Sequence, residues 1–163
     1  MTLDLTSWFT PEEISQLRPL LCKAKAEGWD CWIRTRSDYA AVLQGCYFDI
    51  AKASHFRQFC RTYIRNFDGK WAGKPFELFD WQWIYVVGPL FGWMTAEGTR
   101  RFRRAFVTVA KKAGKSGLAA AIQLYMLCGD GEQGARCFCA ALTRGQAKEV
   151  YRHARASSEE PSR

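Results

Sequence analysis

Val109-Ala110-Lys111-Lys112-Ala113-Gly114-Lys115-Ser116 is the stretch whose reading decides the fold. Before it runs Arg104-Ala105-Phe106-Val107-Thr108-Val109, short, apolar and rich in β-branched and aromatic residues, which is the pattern of a buried strand. After it, Gly117-Leu118-Ala119-Ala120-Ala121-Ile122-Gln123-Leu124 and the residues up to Leu127 read as a helix, halted by Gly129 and Gly131. Strand, Gly-Lys-Ser loop and helix are the parts of a triphosphate cradle. Backbone N–H groups at the helix start face the phosphates, and the helix dipole favours negative charge there. The backbone of Ala110, Lys111, Lys112, Ala113 and Gly114 would wrap the phosphates. Lys115 would reach the β- and γ-phosphates, and the Ser116 hydroxyl would sit on Mg²⁺. Val109 stands where the usual pattern has its first glycine. A β-branched residue suits a strand better than a tight turn, so the turn is expected to begin at Ala110. The bland alternative is a Gly-Lys-Ser loop with no ligand; the strand before, the helix after and the two extra lysines weigh against it.

The chain has 163 residues, enough for one domain with a core or for a helical module joined to part of another domain. No window holds the roughly eighteen apolar residues a membrane span needs. The longest apolar stretch, residues 83–94, is interrupted by Gly88, Pro89 and Gly92. Met1-Thr2-Leu3-Asp4 lacks the basic and apolar regions of a signal peptide, so a soluble, cytoplasmic chain with no membrane partner is expected. The seven cysteines include no C-x-x-C pair, and the only histidines are His55 and His153. That argues against zinc and for reduced, buried thiols.

The net charge of +8 is concentrated in the second half, where residues 73–163 hold 14 Lys/Arg against 8 Asp/Glu. Such a half invites a polyanion, either nucleotide or nucleic acid. The densest run is Arg100-Arg101-Phe102-Arg103-Arg104, which makes Arg101 and Arg103 candidate phosphate or DNA contacts. A solvated strand start that guards a sheet edge fits the same run equally well.

Ser7 or Thr10 is expected to cap a helix that begins at Pro11-Glu12-Glu13 and stops at Gly28. A short apolar segment at 39–45 and a helix over 49–66 follow, with His55 beside the apolar stripe as a surface or packing residue. Asp68-Gly69-Lys70-Trp71-Ala72-Gly73-Lys74-Pro75 is turn-rich and marks the best boundary. Beyond it come a helix over 78–91, a strand at 104–110, the loop, a helix over 116–128, a strand at 135–142 and a helix over 144–155. The expected organisation is a helical N-terminal subdomain at 1–75, a partial P-loop ATPase domain at 76–155 and a polar tail at 156–163. Strand, helix, strand, helix means a parallel α/β unit with a right-handed crossover. Two parallel strands cannot bury both their faces, so the expected fold is α/β with an incomplete parallel sheet, the first half of a P-loop NTPase.

Gly69-Lys70-Trp71-Ala72-Gly73-Lys74-Pro75-Phe76-Glu77-Leu78-Phe79-Asp80-Trp81-Gln82 resembles the large terminase subunit of tailed bacteriophages, the motor that packages DNA into empty capsids. So do Gly92-Trp93, Gly98-Thr99-Arg100-Arg101-Phe102-Arg103, the phosphate loop itself, and Ala140-Ala141-Leu142-Thr143-Arg144-Gly145-Gln146-Ala147, with Gly45-Cys46-Tyr47-Phe48-Asp49 upstream. The resemblance covers most of residues 38–152. It implies the N-terminal part of a phage or prophage terminase large subunit, with ATP and Mg as cofactors. DNA and other terminase subunits or the capsid portal would be its partners, in the cytoplasm of the bacterial host. The family's loop tolerates a first residue other than glycine and carries an added basic residue, matching Val109 and Lys111 or Lys112. The resemblance also implies that Gln82, near Phe79 and Trp81, contacts adenine, whose edge an amide can read with one donor and one acceptor. A helix-start glutamine among core aromatics is the plain alternative. Arg144, after the second expected strand, would be a phosphate or DNA contact.

The chain departs from that family downstream of the loop. Such motors carry an apolar strand ending in Asp-Glu and then a nuclease domain with clustered acidic ligands. Here the acidic residues after Ser116 are Asp130, Glu132, Glu149, Glu159 and Glu160, and none ends an apolar run. The expectation is therefore a truncated or split terminase large subunit that binds ATP without hydrolysing it alone. A small P-loop kinase or NTPase is a second reading, although more than a hundred residues precede the loop. A basic module that binds DNA or the motor without turnover is the third.

Overall fold

A computed structural model describes residues 5–66 and 69–158. The described residues fall into two compact units, one from Met1–Ala53 with Val87–Ala105 and one from Ser54–Val86 with Phe106–Arg163. The chain is mostly helical.

In the first unit, helix α1 (Pro11–Ala26) starts on Thr10, whose hydroxyl accepts the Glu13 N–H while the Glu13 carboxylate accepts the Thr10 N–H at 2.8 Å. This reciprocal pair, with Pro11 at the first helical position, satisfies donors the helix itself leaves open. Of the two candidate caps, Thr10 is the one used. The helix ends where Gly28 turns left-handed at φ +77°. Helix α2 (Arg36–Leu43) repeats the device with Thr35 and Asp38. Strands β1 (Tyr47–Phe48) and β2 (Trp93–Met94) pair antiparallel, with Phe48 opposite Trp93. Around them Trp32 stacks on Phe48 at 4.3 Å, and Trp93 meets the edge of Phe48 at 6.0 Å. Gly92 leaves the space that the Phe48 ring fills.

One ion pair anchors this unit. Asp38 Oδ2 accepts the Arg34 N–H, the Thr35 N–H and the Thr35 hydroxyl at 3.1, 2.9 and 2.8 Å, and Oδ1 accepts Arg101 Nη1 at 2.7 Å. Arg101 also donates to the Ser37 carbonyl and hydroxyl, and its guanidinium lies against Trp93 and Phe102. The two side chains are 14% and 10% exposed. Burial alone would raise the pKa of Asp38, but hydrogen bonds from Arg101, Thr35 and the backbone hold it below the ordinary carboxylate value.

In the second unit, the later part of helix α3 (Ile50–Tyr63) leads to a reversal closed by an antiparallel bridge between Arg65 and Pro75. Asn66 donates to the carbonyls of Lys74 and Pro75, and a 3₁₀ turn at Gly69–Trp71 lies between; Asp68 of the expected connector is outside the described residues. Helix α4 (Asp80–Gln82) runs into a π-turn (Trp83–Val87), after which the chain returns to the first unit with α5 (Gly88–Gly92). Helix α6 (Lys115–Leu124) runs into a second π-turn (Tyr125–Gly129), and α7 (Arg144–Ser158) packs along α6. Of the polar tail expected at 156–163, residues 159–163 lie outside the described residues, and helix α7 runs to Ser158.

The expected parallel sheet is corrected. Among the described residues the only strands are β1 and β2, so segments 104–110 and 135–142 form no strand and carry no regular secondary structure. An apolar, β-branched run becomes a strand only when a neighbour takes its N–H and C=O groups. Here none does, and Phe106 and Leu142 stand 96% and 99% exposed. The alternation of the second segment survives: Cys137 and Cys139 both meet Gln123 of α6, while Phe138 between them is exposed. The cysteines are free, but only Cys60 is buried, its thiol pushed up to about 12, and Cys46 is half-buried; the other five are exposed. No helix of the described residues is long and apolar enough to cross a membrane.

Because the Asp38 pKa is depressed in the folded state, the stability it contributes is complete above the unfolded carboxylate value of about 4. It is lost as pH falls through the lower folded value. Asp38→Asn leaves Arg101 buried without its charge partner and should destabilise the protein by about 3 kcal/mol at neutral pH. Chemical denaturation at a series of pH values should show wild type and variant converging only below about pH 4; a gap that is constant with pH would refute the role given to this pair.

Candidate functional site

Residues 110–114 form a tight turn in which the Ala113 N–H reaches the Ala110 carbonyl at 3.3 Å. Val109 lies outside this bond, so the turn begins at Ala110. Lys112 is left-handed at φ 68° and Gly114 at φ 80°. Among the described residues Lys112 is the only non-glycine with positive φ, a conformation costing roughly 1–2 kcal/mol for an ordinary L-residue. Left-handed residues alternating with ordinary ones turn successive N–H groups to one side and make an anion-binding concavity.

Helix α6 starts immediately after. Gly114 is its N-cap and no side chain caps it, in contrast to Thr10 and Thr35 on α1 and α2. The first helical bond is Leu118 N–H to the Gly114 carbonyl at 3.1 Å. The N–H groups of Lys115, Ser116 and Gly117 therefore stand at an uncapped helix start, at the positive end of the helix dipole. Lys111, Lys112 and Lys115 are exposed around it, and Ser116 is half-buried. Donors without a single acid in the loop suit a polyphosphate. Among the described residues no three His, Cys, Asp or Glu side chains converge on a metal site.

Segment 76–83 lies directly against this start. Gln82 is 1% exposed. Its Oε1 accepts the Phe79 N–H at 3.0 Å, and its Nε2 donates to the Gly114 carbonyl at 3.3 Å. A Cβ at position 114 would come within 3.0 Å of the Phe79 ring and 3.3 Å of Gln82 Nε2, and one at 117 within 3.0 Å of the Phe76 ring. Gln82 is thus brought to the loop, but underneath it, while Phe79 is exposed and Trp81 half-buried.

The arginines fare differently. Arg144 is exposed as the first residue of α7. Arg103 is exposed in the first unit, whereas Arg101 is engaged by Asp38, Ser37 and Trp93, leaving Arg103 and Arg104 as the run's exposed cations. Sequence reasoning missed the pairing of His55 Nδ1 with the Tyr125 hydroxyl at 3.0 Å, which seats the end of α6 on Phe56 and Phe59. His55 lies beside the apolar stripe of α3 and is itself exposed, so the contact shows only once Tyr125, 70 residues on, is brought to it.

A comparison with protein families matches residues 80–159 to the terminase large subunit, ATPase domain. That stretch begins two residues before Gln82 and includes the loop, α6 and α7. No curated protein and no solved structure matches the chain.

Gly114→Ala should be more destabilising than Gly131→Ala. Both sites are left-handed at φ +80°, but a Cβ at 131 meets nothing within 4 Å. The backbone strain is common to both, so the expected excess of about 1 kcal/mol at 114 measures crowding against Phe79 and Gln82. Equal losses in urea denaturation would mean that segment 76–83 does not press on the loop.

Proposed function

We propose, from the match of residues 80–159 to the terminase large subunit, ATPase domain, that loop 110–116 holds the triphosphate of ATP for a DNA-packaging motor. The observation that carries the proposal is the uncapped start of α6, set behind left-handed Lys112 and Gly114 and ringed by three exposed lysines. In this reading the backbone of Ala110, Lys111, Lys112, Ala113 and Gly114 wraps the phosphates. The N–H groups of Lys115, Ser116 and Gly117 donate to them, and the Lys115 ammonium neutralises the terminal phosphate. Mg²⁺, arriving with the nucleotide, supplies the charge that offsets the β- and γ-oxygens; the Ser116 hydroxyl is the side chain that would hold it. The nucleotide-binding part is then 76–155, which carries Gln82, the loop and α6.

Holding phosphates is one part of catalysis; hydrolysis also requires the water and metal to be positioned. Of the acidic residues after the loop, Asp130 closes the π-turn, Glu132 lies just before the next turn and Glu149 is on α7. None follows an apolar extended run. The proposal is for nucleotide binding with turnover far below a motor's in this chain alone. A motor of this kind implies a tailed phage or prophage source, DNA and other terminase subunits or the portal as partners, and the host cytoplasm as its place. Exposed Arg103, Arg104 and Arg144 favour one rival, a basic module that binds DNA without using nucleotide.

Isothermal calorimetry with Mg-ATP should show binding that Lys115→Ala weakens at least tenfold, about 1.4 kcal/mol. Identical heats for the two proteins would show that the loop is not a phosphate site, and salt-sensitive DNA binding in that event would favour the basic module. Steady-state phosphate release should stay at background for both proteins. Turnover of about 1 per second, abolished in the variant, would show a complete hydrolytic site within these residues.

A further inference from the structure

We propose that Gln82 is a positioning residue that latches the phosphate loop to segment 76–83, and that it does not read the nucleotide base; the inference rests on the nucleotide-binding reading of the loop. The amide is 1% exposed, so neither end reaches the surface where a base would lie. Both ends are engaged within the fold, Oε1 by the Phe79 N–H and Nε2 by the Gly114 carbonyl. These two bonds fix the amide's direction. Turned end for end, it would set donor against donor at Phe79 and acceptor against acceptor at Gly114.

The consequence lies in the peptide between Gly114 and Lys115. The Gly114 carbonyl accepts two bonds, from Leu118 N–H at 3.1 Å along the helix and from Gln82 at 3.3 Å across to the segment. Two donors on one carbonyl occupy both lone pairs and hold the peptide plane. In a trans peptide the N–H points opposite to the C=O. Anchoring the Gly114 carbonyl inward therefore aims the Lys115 N–H outward, into the mouth of the loop. The close approach needs Gly114 as well, since a Cβ there would crowd the donating Nε2 at 3.3 Å. Gln82 thus presets one phosphate donor before any ligand arrives, which is a way of lowering the ordering cost of binding.

A latch and a base reader differ in what they discriminate. Gln82→Glu sets a carboxylate oxygen against the Gly114 carbonyl, and Gln82→Met keeps the length without the bonds. Calorimetry with Mg-ATP, Mg-GTP and Mg-tripolyphosphate is expected to show both variants losing affinity for all three by a similar factor, about tenfold, as removal of a buried hydrogen bond predicts. Loss confined to Mg-ATP would overturn the proposal. Amide hydrogen exchange of the nucleotide-free protein provides an arm independent of binding. With the rest of the exchange map unchanged, the amides of Lys115 to Leu118 should exchange faster in Gln82→Met than in wild type, and unchanged rates there would overturn the latch. If wild type binds none of the three ligands, the nucleotide reading fails, and the exchange arm alone then judges the latch.

Discussion

Position 114 carries no side chain because there is no space for one: the backbone is left-handed, the Phe79 ring stands 3.0 Å from where a Cβ would be, and the Gln82 amide stands 3.3 Å away. Much of the second unit follows from that close approach. It fixes where α6 begins, and three residues later, on the same helix face, Gly117 repeats the contact against Phe76. From there α6 presents Leu118 and Ala121 inward and ends on Tyr125, which closes against His55, Phe56 and Phe59. Gly129 then tucks under Phe59 and Tyr125 as Gly114 tucks under Phe79.

The first unit solves a different problem. Helices α1 and α2 open on side-chain caps, and the unit's buried charge is surrounded by donors until nothing polar is left over. Among the described residues no buried side-chain N or O atom lacks a partner. Against that background the bare start of α6 is a contrast within one chain. Helices α1 and α2 start on threonine caps; at α6, where an anion is proposed to sit, the start is left open, and a glycine rather than a serine or threonine precedes the first turn.

Punctuation and helical period were legible in the sequence. Thr10, Pro11 and Gly28 mark α1 because caps and terminators act through their immediate neighbours, and Gly114-Lys115-Ser116 marks α6 for the same reason. The strands at 104–110 and 135–142 were misread because composition reports a preference for an extended, half-buried surface and says nothing of who pairs with it. Arg101 was indistinguishable from Arg103 in a uniform basic run; what separates them is Asp38, 63 residues away. Gln82 was legible as a special residue, while its partner Gly114, 32 residues on, was beyond any local pattern. The cysteines looked like core residues by type, yet five are exposed. In each case the missing information was a long-range neighbour.

Lys112 holds a backbone conformation that glycine adopts freely and that asparagine tolerates better than most residues. A change in the third base of a lysine codon is enough to produce asparagine, so mutational relief from the strain is always one step away. Asparagine would keep the turn and lose the positive charge. For a loop that met only water, that exchange would be nearly free of consequence and favourable to folding. A lysine at this position keeps a positive charge at the expense of conformational ease, which is the balance a loop facing the proposed triphosphate would need.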